Sequence, residues 1–315
     1  MTTDPVGGAG ASGVGGSVRD VTPPDPSTQA AADLPTAAAP TLAERLGYSA
    51  DAKLLIVNCD DLGMCHSSNE GVYQAMRDGF ATSATLMVPC PWAREAAAQY
   101  RGEDVGVHLT LTAEWELYRW GPITQAPSLL GGDGGFPRTI EDAWDHADLD
   151  EVRRELRAQI ERAILWGFDI THLDSHMGTL QLRPEFFDVY LDMAVEFQLP
   201  LRLSGVDTQD LVGFPFRDVA AEEGVLAPDR LIYYSPVGAR PAFESMLEDM
   251  SPGVTEIYLH PSTSHSELRA FAPDWEGRVD DHFLLTADES IRERMDAVGV
   301  QLIGWREIRD LQRAG

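Results

Sequence analysis

The chain has 315 residues, 43% of them hydrophobic, with 51 acidic against 24 basic side chains and a formal net charge of −27. That length and composition fit one large α/β domain or two small ones, with enough apolar residues for a sizeable core. So negative a charge, with no cluster of Lys and Arg, argues against nucleic acid as a partner and against binding to anionic lipid.

Residues 1 to about 40 are rich in Gly, Ala, Pro, Ser and Thr and nearly free of large apolar groups. Such a segment buries too little surface to offset its ordering entropy, so the expectation is a disordered tail, 1–40, ahead of a single domain, 41–315. Met1-Thr2-Thr3-Asp4-Pro5 lacks the basic residues and apolar run of a signal peptide, and no stretch is long and apolar enough to span a bilayer. The three cysteines, Cys59, Cys65 and Cys90, are an odd number without paired spacing. They read as small buried hydrophobes in a reducing compartment, and the expected location is the cytoplasm.

Thr41–Leu46 is predicted as a short helix. Leu54-Leu55-Ile56-Val57 then reads as a strand buried on both faces, and it ends on Asp60-Asp61-Leu62-Gly63. A buried strand that ends on two acids lifts them to the mouth of a sheet, where α/β folds keep their chemistry. On extended backbone, adjacent side chains point to opposite faces, so the two carboxylates can hold different roles. Ser67-Ser68-Asn69-Glu70 predicts a capping box for a helix with Val72, Ala75 and Met76 on its apolar stripe and Gly79 as its stop. Ser83–Val88 is the second predicted strand, and Pro91-Trp92 opens the second helix. Val105–Leu111 is the third strand, with His108 inside its apolar run.

The pattern from Ala113 to Arg138 is irregular, and its glycine run, Gly131–Gly135, reads as a mobile loop or hairpin tip because no Gly-Lys-Ser follows. Asp150–Trp166 is predicted as an amphipathic helix stopped by Gly167. The segment Asp169–His176 is a short strand running into polar residues. Pro184 starts a helix with Phe187, Leu191 and Val195 inward. Further strands are expected at Leu199–Leu203, at Leu231–Tyr234, at Thr255–Leu259 ending on His260, and at Val300–Ile303, with a closing helix at Trp305–Leu311. This alternation predicts a distorted, TIM-like (β/α) barrel of about seven to eight mostly parallel strands.

The polar residues Asp60, Asp61, His108, His172, Asp174, His176 and His260 all fall at or near strand ends, and barrel strand ends converge on one mouth. His146, His265 and His282 read as ordinary. One carboxylate with two imidazoles suits a divalent cation with open positions for water, and Asp61, His108 and His176 are the expected ligands. His172, four residues before His176, faces the same way on extended backbone and remains open as its replacement or helper. Asp174 is the candidate orienter of an imidazole. The donor set suits one magnesium or zinc ion and also admits manganese or cobalt.

The segments NCDDLGMCHSSNEGVYQAM, DVGVHLTLTAEW, THLDSHMGTLQLRPE and EIYLHPST resemble the YdjC family of carbohydrate deacetylases, also called the ChbG/HpnK family, from about residue 45 onward. The resemblance implies a distorted barrel related to polysaccharide deacetylases and a metal-dependent hydrolase that removes acetyl groups from small N-acetylated saccharides. It matches Asp60 to the catalytic base, Asp61, His108 and His176 to the metal ligands, and His260 to the general acid. Trp115, Trp120 and Trp275 are candidate sugar-stacking surfaces. Arg202 and Arg278 are candidates to orient substrate hydroxyls or to pair with the acids. Met177-Gly178-Thr179-Leu180 stands where many members carry further histidines, which weakens the transfer of their chitooligosaccharide specificity to this chain. The rival readings are a metal-dependent hydrolase of another amide or of a phosphoester, and a catalytically inactive sugar-binding protein. The sequence leaves a homodimer open.

Overall fold

Among the described residues seven strands assemble into one curled sheet whose ladders are all parallel. The structure is a computed structural model and describes residues 39–233 and 239–315. Most of the expected tail therefore lies outside the described residues, as does Tyr234 at the end of one expected strand. Pro40–Gly315 forms one compact unit.

The strands are β1 (Lys53–Leu62), β2 (Ser83–Leu86), β3 (Val105–Leu109), β4 (Ile170–Ser175), β5 (Arg230–Ile232), β6 (Gly253–Leu259) and β7 (Val300–Leu302). Their order is β4-β3-β2-β1-β6-β5, and β1 is the axis of the sheet. One edge of β1 pairs with β6 from Lys53 to Cys59; the other pairs with β7 at its start and with β2 at its end. Leu54, Leu55, Ile56 and Val57 are fully buried. At roughly 1.5–3 kcal/mol for each large aliphatic side chain, this strand anchors the domain.

The expected distorted barrel is what forms, but backbone pairing does not close it among the described residues. Leu199–Leu203, expected as a strand, contributes a single parallel bridge, Leu173 to Leu201, beside β4. Two backbone hydrogen bonds make that bridge, Leu173 N–H to the Pro200 carbonyl and Arg202 N–H to the Leu173 carbonyl, each at 3.0 Å, and the Leu201 N–H donates to the Leu226 carbonyl at 3.0 Å.

The barrel has two kinds of filling. At its floor Leu54, Ile56 and Val254 pack with Ile303, Trp305 and Ile308, and the helix Leu42–Arg45 sits against them. Above that floor the interior is polar: Asn58, Glu256, His172 and Arg202 are all buried. Leu55, Val57 and Cys59 point the other way, into the layer between sheet and helices. Among those helices are His66–Arg77, Leu149–Leu165 and Pro184–Phe197.

Two local expectations are corrected. The helix His66–Arg77 begins one residue before the expected capping box, with Cys65 at its N-cap and no side-chain cap bond. Ser68 instead meets Ser262 at 3.0 Å between hydroxyls, and Asn69 accepts from the Gly63 N–H at 2.7 Å, so tertiary partners take the groups a cap would use. On Pro184–Phe197, Phe187 and Leu191 are buried as expected, but Val195 is exposed and Tyr190 and Met193 fill the inward face. The glycine run forms a tight turn, Gly134 N–H to Gly131 carbonyl at 3.0 Å, that Arg119 clamps through Asp133.

Candidate metal centre and active-site cleft

The carboxyl ends of β1, β3, β4 and β6 surround one cleft of about 420 Å³, lined by Asp60, Asp61, His108, Asp174, His176 and His260 among others. Strict alternation along β1 would send Asp60 inward with Asn58 and Asp61 outward with Cys59. The structure departs from that. The ladder between β1 and β2 slips between Cys59 and Leu62, and Asp61 adopts a left-handed φ of 66°. The irregularity brings both carboxylates to the same mouth, at a backbone cost of roughly 1–2 kcal/mol that aspartate tolerates better than most residues.

Asp61 Oδ1 lies 3.6 Å from His108 Nε2 and 3.8 Å from His176 Nδ1, and those two ring nitrogens are 3.1 Å apart. Each imidazole is held from behind by an acid. Asp174 forms a close ion pair with His108 Nδ1, and Glu114 Oε2 sits 3.0 Å from His176 Nε2. Both rings thus turn their remaining nitrogen toward Asp61. Asp61 Oδ1 is buried and accepts no hydrogen bond, an arrangement that costs about 1–3 kcal/mol unless a positive partner completes it. The group fits a divalent cation: one unsatisfied carboxylate oxygen and two oriented imidazole nitrogens converge on one point.

The electrostatics agree. Burial pushes the Asp61 carboxyl up, but Arg278 and the surrounding histidines outweigh it and hold the group well below the carboxylate range. Arg278 Nη1 is 2.7 Å from Asp61 Oδ2. Burial pulls the His108 ring down, yet Asp174 more than reverses this and raises it to about 9. A cation taken up at Nε2 therefore displaces a proton.

Asp60 lines the same cleft. Arg202 grips it with two hydrogen bonds, Nη1 to Oδ2 at 2.8 Å and Nη2 to Oδ1 at 2.9 Å, and Asn58 Nδ2 donates at 2.8 Å. The same guanidinium donates to Asp174 at 2.6 Å and to Glu256 at 2.8 and 3.0 Å. Arg202, from the segment that fails to form a strand, thereby links β1, β4 and β6 across the open seam. His260 Nε2 stands 4.0 Å from Asp61 Oδ2, and the His260 backbone N–H is fixed by Asp281 at 3.0 Å. Burial lowers the His260 ring, with Asp61 opposing.

Other expected positions fall elsewhere. His172 does not stand in for His176. It lies deeper in the barrel, stacked on Trp305 with ring centroids 4.4 Å apart and planes 5° apart. The strand ends at Ser175 and His176 starts a separate turn, so the two rings no longer share a direction. Trp115 and Trp120 pack on each other behind the cleft, with Arg278 over the Trp115 ring, and Trp275 lies under Arg269. The aromatic residues lining the cleft are Tyr233 and Tyr258. Arg202 and Arg278 both pair with acids. Glu114 and Glu256 went unnoticed in the sequence; the only signal for Glu114 was an acid in the loop just after the His108 strand.

The family model described as YdjC-like protein matches residues 54–296. A carbohydrate deacetylase of Thermus thermophilus is 36% identical over 278 residues, 85% of this chain and 98% of that protein. One from Geobacillus stearothermophilus is 33% identical over 80% of this chain and 96% of its own length. A chitooligosaccharide deacetylase of Yersinia pestis is 34% identical over 67% of this chain and 82% of its own. A crystal structure from Enterococcus faecalis V583, described as that of a candidate cellobiose-phosphate cleavage protein, superposes with a TM-score of 0.72 at 27% identity. It covers 82% of this chain and 99% of the other.

Proposed function

The chain belongs to the YdjC-like family, and on that footing we propose that residues 41–315 form a metal-dependent carbohydrate deacetylase domain acting on a small N-acetylated saccharide. The observation that carries the reading is the unsatisfied Asp61 oxygen facing two imidazoles that Asp174 and Glu114 have already oriented. A bare sugar-binding cleft has no use for that arrangement.

Asp61, His108 and His176 would hold a divalent cation, which would supply Lewis acidity for an acetamide carbonyl and lower the pKa of water. Zinc or magnesium suits these donors, and manganese or cobalt is admitted. Asp60, the second carboxylate at the mouth, removes a proton from the attacking water. Arg202 keeps the Asp60 carboxylate in one orientation through its two-pronged bond. His260 returns a proton to the departing amine, since an amide nitrogen leaves poorly as an anion. Burial weakens the ring's hold on its proton and Asp61 opposes this, so the ring gives up readily a proton that it has taken. Arg278 holds Asp61 Oδ2, so that Oδ1 is the oxygen turned to the two imidazoles. Tyr258 and Tyr233 in the cleft wall are the surfaces against which a sugar ring packs.

Among the described residues no helix is long and apolar enough to cross a membrane, and Cys59, Cys65 and Cys90 are free and buried. The buried free thiols support a reducing, cytoplasmic setting. The experiment is acetate release from N-acetylglucosamine and its short oligomers, with elemental analysis of the purified protein. Metal-dependent acetate production is expected. Phosphate release from phosphorylated sugars without acetate release from any N-acetyl sugar overturns the proposal.

A further inference from the structure

A second group of ligand-type side chains lies on the rim of the domain and takes no part in the chemistry above. His66 and Glu70 stand one turn apart on the helix His66–Arg77, on the same face. The loop after β6 brings His265 to them. His265 Nε2 is 3.2 Å from Glu70 Oε2, and His66 Nε2 is 3.7 Å from Glu70 Oε1. The two imidazoles meet edge to face with centroids 5.5 Å apart. One donor atom from each of the three residues lies within 4.8 Å of the others.

The surroundings are those of a built site. Glu95 Oε1 stands 3.4 Å from His66 Nδ1, leaving Nε2 turned to Glu70, the same carboxylate-behind-imidazole arrangement seen twice at the central site. Thr263 Oγ1 donates to Glu70 Oε2 at 2.9 Å and fixes that carboxylate. The backbone beneath is tight. The Thr263 N–H donates to the Ser67 carbonyl at 3.0 Å, and a side chain at Gly71 would meet the Pro261 carbonyl at 2.6 Å. The side chains of His66, Glu70 and His265 are 33%, 33% and 44% exposed, so the site opens to solvent and leaves positions for water.

We propose that His66, Glu70 and His265 bind a second divalent transition-metal ion, of the zinc class, independently of the central site. Two imidazoles and one carboxylate, the donor types of the central site, hold zinc, cobalt or nickel readily. The bound ion joins the start of the helix that follows Asp61 to the loop that follows His260. It therefore ties together the two segments that flank the central cleft.

The test uses the full chain, stripped with a chelator and dialysed against cobalt(II) at neutral pH, with bound cobalt per chain measured by elemental analysis and visible absorption. The wild type is expected to hold two equivalents. His66→Ala and His265→Ala each hold one, Asp61→Asn holds one with the rim-site spectrum, and Asp61→Asn combined with His265→Ala holds none. Glu70→Gln, an isosteric change on a partly exposed helix face, weakens the second equivalent about tenfold or more without touching the first. Cobalt that is wholly lost from Asp61→Asn overturns the proposal. So does a second equivalent retained by both His66→Ala and His265→Ala, since these residues are then surface ion pairs only. A single wild-type equivalent that survives Asp61→Asn and is lost from His265→Ala leaves this proposal standing and fails the central site on which the deacetylase reading rests.

Discussion

Replacing Arg202 with methionine removes the one group that binds three buried carboxylates at once. Its side chain is 4% exposed, and Asp60, Asp174 and Glu256 beneath it are 3%, 1% and 1% exposed. Methionine fills most of the volume, so the loss is electrostatic rather than a cavity. Breaking a buried ion pair by deleting one partner costs about 3–5 kcal/mol, because the survivor stays buried and uncompensated. Three survivors here set the upper end of that range, while their ability to take up protons limits it. The pH dependence follows. Burial raises the Asp174 carboxyl, but Arg202 and His108 outweigh this and hold it below its ordinary value. Its contribution is therefore present above the unfolded-state value and lost as pH falls toward the folded one. Without the guanidinium, burial pushes the carboxyls up, and they become neutral in acid at little cost. The deficit of Arg202→Met relative to wild type should therefore be largest near pH 8 and shrink towards pH 5. Urea unfolding of the chelator-treated chain at both values, followed by circular dichroism, measures it. A deficit below about 1 kcal/mol, or one that does not change with pH, refutes the view that this guanidinium closes the barrel's seam.

The remaining expectations concern the cleft. Asp61→Asn and His108→Ala should each lose the central metal and acetate release together, whereas Asp60→Asn should keep the metal and lose turnover; acetate release near the wild-type rate in Asp60→Asn sinks the base assignment. Glu114→Gln frees the His176 ring and should weaken central metal binding about 10–100-fold, read by competition with a chromophoric chelator, and unchanged affinity would show that the ring is held by other means. Burial raises Glu256 to about 7, with Asp174 and Asp60 adding and Arg202 opposing. A group raised in this way stabilises most below its unfolded value and loses that contribution as pH climbs through 7. Glu256→Gln, which mimics the neutral acid, should gain on the order of 2 kcal/mol relative to wild type between pH 5 and pH 8, and parallel stability curves for the two proteins would contradict the assignment.

The strands and many of the residues that line the cleft were legible because both obey local rules. β1, β3 and β6 are aliphatic runs, and a polar residue that ends such a run can only sit at the mouth. Leu199–Leu203 carries the same aliphatic signal yet meets β4 only around Leu173, through two backbone hydrogen bonds, while Leu201 also donates to the Leu226 carbonyl. The capping-box letters at Ser67–Glu70 were equally misleading, since Ser68 and Asn69 serve contacts with Ser262 and Gly63. His172 and His176 looked equivalent on an extended template; the strand's end at Ser175 separates them. Glu114 and Glu256 were invisible for a different reason. Acids are abundant in this chain, and what distinguishes these two is a partner far away in sequence, His176 for one and Arg202 for the other.

The adjacent pair Asp60-Asp61 shows how two like charges next to each other acquire unlike roles. On regular backbone they would face opposite sides of the sheet, and one would be lost among the helices. The slipped ladder and the left-handed Asp61 bring both to the cleft, where they would repel each other strongly if left alone. Each has its own arginine instead: Arg202 from below grips both oxygens of Asp60, and Arg278 from the side takes only Oδ2 of Asp61. The difference in grip goes with the difference in proposed roles. Asp60, held at both oxygens, is fixed in direction, as the base proposed for it must be. Asp61 keeps Oδ1 uncommitted, and an uncommitted buried oxygen between two imidazole nitrogens is a place for a cation.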